Sequence, residues 1–318
     1  MSNLYLVYRG ASSFEAYSAY YDGSKWYGNT KIEDQPGGID PEFISVPDMA
    51  VWPSYNRLYL AYVGILAGEL FADLRTAYFD GNSWHGNTKI EDQPGGISPK
   101  SNTSPGAVIY NNRLYLVYKG DLTDNLYSAY YDGTKWYGNT KIEDQPGRVN
   151  PDSNKRPGLA VYNNKMYVAY KGADSNDLYT AYYDGTSWYG NTKIADQPGG
   201  ISPRSNEPPR AIVYNNRLYI IYKGASSNEL YTAYYDGVKW YGNTKIADQP
   251  GGLNPQSRNP VGAAVYNGLL YLAYKGASSG ALYTAYYDKA KWYGNKKIKD
   301  QPGGIDPETF SSPAAAAY

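Results

Sequence analysis

Six of the seven tryptophans in this sequence are each followed, eight residues later, by an aspartate–glutamine pair. An indole ring offers a face to the C–H groups of a sugar, and carboxylate and amide groups offer fixed hydrogen-bonding atoms to its hydroxyls. These residue types therefore predict repeated ligand-binding sites. The candidate ligand-binding residues are Trp26, Asp34, Gln35, Trp84, Asp92, Gln93, Trp136, Asp144, Gln145, Trp188, Asp196, Gln197, Trp240, Asp248, Gln249, Trp292, Asp300 and Gln301.

A structural interpretation competes with ligand binding for the same residues. A large ring at an equivalent point of every repeat fills the space between packed sheets. The segment Asp-Gln-Pro-Gly is typical of a turn, in which proline and glycine set the backbone and the aspartate side chain caps it. The sequence leaves both interpretations open.

The candidate residues recur because the chain consists of six similar repeats. The segment Trp-Tyr-Gly-Asn-Thr-Lys-Ile begins at four of the tryptophans and returns with changes at Trp84 and Trp292, with a spacing of 52 residues from Trp84 onward. Each repeat holds four short apolar or aromatic runs separated by turn residues, as at 218–222 and 230–235. Four short strands per repeat predict an all-β fold, a six-bladed β-propeller with four-stranded antiparallel blades.

The two ends of the chain predict how the ring closes. The first repeat lacks a first strand, and residues 313–318 have no repeat after them. Pairing the ends makes the C-terminal strand complete blade one and leaves no inner strand edge open. We expect a single propeller domain over residues 1–318, with repeats at approximately 1–45 plus 313–318, 46–104, 105–156, 157–208, 209–260 and 261–312.

Composition argues against several classes of function. The formal charge is zero, with 30 basic and 30 acidic residues, whereas nucleic acids and acidic membranes attract proteins with a basic excess. The chain has no cysteine and one histidine, His85, so no thiol and no repeated Ser-His nucleophile is available. No residues show metal-ligand spacing. Because the blades are alike, nearly identical residues from each blade would line a central pocket. The sequence therefore predicts a protein that is not an enzyme and that has no cofactor and no metal.

The asymmetric features of the chain are few. The best candidate for a unique site is the insertion at 67–73 in the second repeat, for which a longer loop is the simpler interpretation. His85 replaces a tyrosine found in the other repeats, and we expect it at the surface or the rim of the propeller.

The repeated pattern resembles that of the β-propeller lectins. The arrangement Leu-Tyr-Leu-Val-Tyr … Asp-Gly-x-x-Trp spans almost the whole chain and is similar in layout to the six-bladed fucose-binding lectins of fungi and bacteria. The segment Lys-Ile-x-Asp-Gln-Pro-Gly-Gly is similar to one in tachylectin-type propellers. The resemblance implies up to six sugar sites between adjacent blades and no reaction. The arginine and glutamate that grip fucose in the first family do not carry over, because the second strand here ends in lysine in most repeats.

The sequence thus predicts a lectin, a multivalent carbohydrate-binding protein with repeated sites at blade junctions and with glycans or glycoconjugates as partners. A scaffold that binds a protein across the face of the propeller is the alternative, and a hydrolase with a central pocket is the third interpretation. We expect no nucleic acid partner, no membrane insertion, and a monomer, with a dimer as the second option. The N-terminus lacks a secretory signal, which favours the cytoplasm or export by a non-classical route.

Overall fold

The computed structural model describes residues 2–64 and 73–318. Within these residues the chain forms 24 β-strands in six sheets of four, which we number blades 1–6 in chain order. The insertion at 67–73, apart from Asp73, lies outside the described residues. The strands are β1 (Leu4–Arg9), β2 (Ala16–Tyr21), β3 (Trp26–Lys31), β4 (Asp48–Trp52), β5 (Arg57–Val63), β6 (Leu74–Phe79), β7 (Trp84–Lys89), β8 (Gly106–Tyr110), β9 (Arg113–Lys119), β10 (Leu126–Tyr131), β11 (Trp136–Lys141), β12 (Gly158–Tyr162), β13 (Lys165–Lys171), β14 (Leu178–Tyr183), β15 (Trp188–Lys193), β16 (Arg210–Tyr214), β17 (Arg217–Lys223), β18 (Leu230–Tyr235), β19 (Trp240–Lys245), β20 (Gly262–Tyr266), β21 (Leu269–Lys275), β22 (Leu282–Tyr287), β23 (Trp292–Lys297) and β24 (Ala314–Ala317).

Each blade is an antiparallel meander whose turns follow from the sequence. In blade 4, Asn163 (φ 48°) and Asn164 (φ 56°) join β12 to β13 with the positive φ angles that a two-residue hairpin turn requires. In the turn between β14 and β15, the carboxylate of Asp184 accepts the backbone N–H groups of Thr186 (2.8 Å) and Ser187 (2.9 Å). Short 3-10 turns lie at Pro53–Tyr55, Ile90–Asp92, Ile142–Asp144, Ile194–Asp196, Ile246–Asp248 and Ile298–Asp300.

The two ends of the chain close the ring. Strand β24 pairs with β1 in antiparallel register, and the strand order of blade 1 is β24-β1-β2-β3. The backbone N–H of Asn3 donates to the carbonyl of Tyr318 at 2.6 Å, and the reverse bond measures 2.9 Å. The prediction of a six-bladed propeller completed by its C-terminal strand is confirmed.

Adjacent blades pack through apolar side chains. Among the described residues, six buried clusters each combine residues of two neighbouring blades. The cluster between blades 4 and 5, for example, joins Ala160 and Ile194 to Leu218 and Ile220. The ring is therefore one continuous sequence of sheet-on-sheet contacts. No helix in the described part of the chain is long and apolar enough to span a membrane.

The two ends of the propeller differ in the loops they carry. The connection face, as we call it, carries the loops between second and third strands and the connections between blades; the turn face carries the hairpin turns. Asp152 of one connection forms a β-bridge with Asn125 in the β9–β10 loop of blade 3. Its carbonyl accepts the N–H of Ala173 in the β13–β14 loop of blade 4 at 3.2 Å. This connection thus lies between the loops of two adjacent blades.

Candidate functional site

The six predicted tryptophans lie in the interfaces between blades. Each is at most 2% exposed, and its indole N–H donates to the side-chain oxygen of the glutamine from the preceding repeat. The Nε1–Oε1 distances are 2.9–3.1 Å. The pairs are Trp26–Gln301, Trp84–Gln35, Trp136–Gln93, Trp188–Gln145, Trp240–Gln197 and Trp292–Gln249.

The glutamine of each pair is held by its own blade as well. The amide Nε2 of Gln145 donates to Oγ of Ser128 (2.9 Å) and to the carbonyl of Thr140 (2.9 Å). The following residue, Pro146, accepts the backbone N–H of Trp188 at 2.8 Å. The Trp–Gln layer, by which we mean the six pairs with their Asp-Gln-Pro-Gly loops, therefore ties each blade to the next.

The predicted aspartates differ from their neighbours in this layer. The six carboxylate-bearing residues are all exposed, whereas the glutamines are half-buried and the tryptophans are buried. The structure thus brings together two of the three predicted residue types and leaves the third at the surface. A role of these residues in ligand binding stays a prediction. The aspartates are Asp34, Asp92, Asp144, Asp196, Asp248 and Asp300.

Two of the predicted residues border an opening between blades 6 and 1. Trp26 and Gln301 line a cavity of about 360 Å³, which we call the outer cleft. The buried ring of Trp26 contributes only an edge to it, because it is 2% exposed. Four tyrosines, Tyr21, Tyr271, Tyr286 and Tyr293, also line it.

A second repeated unit, which the sequence patterns did not predict, lies towards the connection face. In every blade the hydroxyl of a second-strand tyrosine donates to Oδ1 of a fourth-strand asparagine. The pairs are Tyr8–Asn29, Tyr62–Asn87, Tyr118–Asn139, Tyr170–Asn191, Tyr222–Asn243 and Tyr274–Asn295. In five blades of the described chain a third-strand tyrosine stacks on the first ring, with ring centroids 5.6–6.0 Å apart. Arg75 stands at that position in blade 2.

A β-bulge directs the asparagine towards its tyrosine. The pairing of β14 with β15 shifts register after Thr180, at the point where Gly190 (φ 89°) and Asn191 (φ 67°) adopt positive φ. Glycine and asparagine tolerate this conformation better than other residues, and a bulge re-aims the side chain it contains. The amide Nδ2 of Asn191 also donates to the carbonyl of Asn150 in the connection from blade 3, at 2.7 Å.

Open clefts surround this unit in blades 4 and 6, and we call them the connection-face clefts. Their volumes are about 250 and 400 Å³. Each combines a Tyr–Asn pair and its stacked tyrosine with two segments of backbone. These are the loop between the second and third strands of the same blade and the connection from the preceding blade. The blade 4 cleft is lined by Asn150, Asp152, Tyr170, residues 172–175, Tyr179 and Asn191. The blade 6 cleft is lined by Asn254, Gln256, Tyr274, residues 276–279, Tyr283, Asn295 and Lys297.

Burial shifts the pKa values of two polar groups that line the blade 4 cleft. Burial raises the pKa of the Tyr170 hydroxyl, which stays protonated and donates to Asn191. Burial also raises the pKa of the Asp152 carboxyl, although its hydrogen bond from Asn125 (2.8 Å) opposes the shift. In the blade 6 cleft, Oγ of Ser279 is buried without a hydrogen-bond partner in the described chain. A ligand with several hydroxyl groups would find carboxylate or amide acceptors on the walls of these clefts.

The sequence contains a signal for this second unit. A Gly-Asn pair stands inside the strand segment Trp-Tyr-Gly-Asn-Thr-Lys of every repeat. Glycine within a strand pattern indicates a bulge or a close approach of another group. The signal does not name the tyrosine that the asparagine meets, because that contact depends on the pairing of three strands.

Comparison with known proteins gives matches of fold and not of family. No model of a known protein family matches the sequence, and no curated protein matches it. The BP39L lectin from Burkholderia pseudomallei superposes with a TM-score of 0.61 at 17% identity, covering 98% of this chain and 84% of that one. A Hadza microbial sialidase gives 0.58 at 9% identity over 95% and 69% of the two chains. An ulvan lyase of a polysaccharide lyase family gives 0.53 at 12% identity over 99% and 83%.

These matches confirm the distant resemblance in layout to the six-bladed β-propeller lectins, at the level of the fold. They also correct one prediction. The expectation that the chain is not an enzyme is wrong as argued from its repeated blades, because a sialidase and a polysaccharide lyase share the propeller fold. One fold supports many functions, so the residues of the site must carry the functional argument.

Proposed function

We propose that this protein binds glycans in the connection-face clefts, and that repetition of the cleft makes the binding multivalent. The observation that carries the proposal is the composition of the clefts in blades 4 and 6. Each combines a stacked tyrosine pair with carboxylate, amide or hydroxyl groups in a cavity open to solvent. The match in fold to a protein named as a lectin supports it.

The blade 4 cleft illustrates how a sugar ring would be held. The half-buried ring of Tyr179 meets the C–H groups on one side of the sugar, since aromatic faces and apolar sugar surfaces exclude water together. The carboxylates of Asp152 and Asp174 accept sugar hydroxyls, and Ser175 both donates and accepts. The cavity of about 250 Å³ suits a single ring better than a buried chain.

Each cleft alone binds weakly. We expect a dissociation constant on the order of 1 mM per site, equivalent to about 4 kcal/mol. Several clefts on one face, engaging glycans on one surface, raise the overall affinity by a factor of about 10² or more without any new contact. The proposed activity is therefore that of an agglutinin.

A glycan array and an agglutination assay test the proposal in two steps. The expected result is selective binding to one class of glycan and agglutination of cells that carry it, inhibited by the free sugar. The absence of both array binding and agglutination would reject a glycan-binding function.

A matched pair of variants in blade 6 then locates the site. Tyr283 lines the connection-face cleft and Tyr293 lines the outer cleft, and each stacks on one tyrosine, with centroids 5.8 and 5.1 Å apart. We expect Tyr283→Ala to remove one site from the stoichiometry measured by calorimetry, and Tyr293→Ala to leave it unchanged. The opposite result would place the sugar beside Trp26 and Gln301.

A further inference from the structure

The starts of the six innermost strands surround the axis of the propeller, and they differ in charge. Small residues begin the strand in four blades, whereas Asp48 begins it in blade 2 and Arg210 in blade 5. Blades 2 and 5 lie opposite each other in a ring of six. The small residues are Gly106, Gly158, Gly262 and Ala314.

Asp48 and Arg210 meet across the axis. The guanidinium Nη1 of Arg210 donates to Oδ1 of Asp48, and the two residues are 8% and 1% exposed. The carboxylate also accepts the backbone N–H of Met49 (2.9 Å) and that of Ala107 in blade 3 (3.0 Å). Nε of Arg210 has no hydrogen-bond partner in the described chain.

A second guanidinium joins this pair without a carboxylate of its own. Arg156, in the connection before β12, is 7% exposed and donates from Nη1 to the carbonyl of Pro47 at 3.2 Å. Burial lowers its pKa to about 10; the charge of Asp48 opposes that shift and the charge of Arg210 adds to it. No ion pair of Arg156 occurs within residues 2–64 and 73–318. Two arginines therefore share one carboxylate in a buried place, where an unbalanced charge is unfavourable.

The cluster adjoins an apolar cavity on the axis. A central channel of about 270 Å³ is lined by Arg210 and by first-strand side chains such as Val51, Val108, Val161 and Val213. Because Arg210 begins its strand and the others lie further along theirs, the charged cluster stands at one end of an apolar wall. The cavity thus offers a positive end and a hydrocarbon lining.

We propose that the central channel binds a small aliphatic carboxylic acid as its anion, with the carboxylate at Arg210 and the hydrocarbon chain against the first strands. The planar, two-oxygen carboxylate matches the guanidinium fork of Arg210, which lines the channel beside its ion pair with Asp48. Arg156 supplies the uncompensated charge that attracts the anion. This site is independent of the connection-face clefts.

Thermal denaturation and calorimetry with butanoate and hexanoate, at constant ionic strength, test this site. We expect each acid at about ten times its Kd to raise Tm by about 2–4 °C, with tighter binding of the longer chain. The neutral amide butanamide should give no shift, and chloride a smaller one. Equal shifts from chloride and butanoate, or from butanamide, would overturn the proposal.

Three variants assign the effect to the cluster. Arg156→Met removes the excess charge at similar length and should weaken butanoate binding about tenfold. Asp48→Asn removes the competing carboxylate and should strengthen it. Arg258→Met, which alters an exposed arginine elsewhere, should change nothing. Binding that is the same in the Arg156→Met protein as in the unaltered protein would reject the site even if the Asp48→Asn protein does not fold.

Discussion

The Trp–Gln layer and the connection-face clefts join the same blades with the same chemistry, an aromatic ring beside a side-chain amide. In the layer, Trp188 is 1% exposed and Gln145 uses its oxygen and its nitrogen within the protein. In the clefts, Tyr170 and Asn191 are likewise hydrogen-bonded to each other. The ring of Tyr179 and the polar groups of the surrounding loop and connection nevertheless line an open cavity. Composition alone does not distinguish a binding site from a packing contact; the accessibility of the side chains to solvent does.

From this comparison we expect the layer to contribute stability and, under the proposed function, the clefts to contribute binding. Substitutions in the layer should change the free energy of unfolding strongly. Substitutions at the accessible groups of the clefts should change glycan binding with little effect on unfolding.

The largest loss of stability should come from a layer tryptophan. We expect Trp188→Ala to lower the free energy of unfolding by about 3–5 kcal/mol, because it empties a buried site and removes the indole donor to Oε1 of Gln145. The adjacent Tyr189 is 42% exposed and stacks on Tyr182 with ring centroids 5.2 Å apart. Tyr189→Ala should cost about 1 kcal/mol. Urea denaturation measures both, and equal losses would contradict a structural role of the layer.

A pair of neighbouring glycines provides the next test. A Cβ on Gly199 (φ 120°) would stand 2.1 Å from the carbonyl oxygen of Trp240, whereas a Cβ on Gly200 (φ 65°) would meet nothing within 4 Å. We expect Gly199→Ala to cost more than about 2 kcal/mol, since strain and collision with the backbone add. Gly200→Ala should cost about 1 kcal/mol from the left-handed conformation alone. Similar denaturation midpoints for the two variants would show that the loop does not approach the tryptophan as closely as described.

The glutamine of the layer should have an intermediate effect. Gln145→Ala leaves the indole N–H of Trp188 without an acceptor in a buried place, and we expect a loss of about 1–3 kcal/mol. Glu143, two residues earlier, forms only a partly exposed ion pair with Lys141 at 3.1 Å. Glu143→Ala should therefore cost less than about 1 kcal/mol. If Glu143→Ala proved the more destabilising variant, the placement of the Gln145 side chain in the interface between blades would be contradicted.

The fold was predictable from the sequence because its information is local and repeated. The spacing of the tryptophan segments, the turn residues and the unpaired ends determine six sheets and the closure of β24 on β1. The tryptophan segments and turn residues recur in the six repeats. A single strand pattern would have been ambiguous, and six copies of it were not.

The site was predictable only in part, since its contacts depend on packing. Tryptophan and glutamine stand in one repeat, but each indole meets the glutamine of the preceding repeat, and burial cannot be derived from residue type. The tyrosine–asparagine contact requires the bulge and the pairing of three strands. The charged cluster on the axis was missed because Asp48, Arg156 and Arg210 each occur in one repeat, 108 and 54 residues apart in sequence.

The smallest change in stability, and the clearest test of the two sites, should come from two exposed carboxylates. Asp144 belongs to the layer and Asp174 lines the blade 4 cleft, and both are exposed. Asp144→Asn and Asp174→Asn should each alter the free energy of unfolding by less than about 0.5 kcal/mol, as is usual for surface substitutions. We expect only Asp174→Asn to weaken sugar binding at that cleft, by about 1 kcal/mol or fivefold, because it removes a charged acceptor of sugar hydroxyls. Calorimetric titration of a single free sugar measures this loss without avidity. Loss of binding in the Asp144→Asn protein alone would move the sugar from the cleft to the aspartate–glutamine loop.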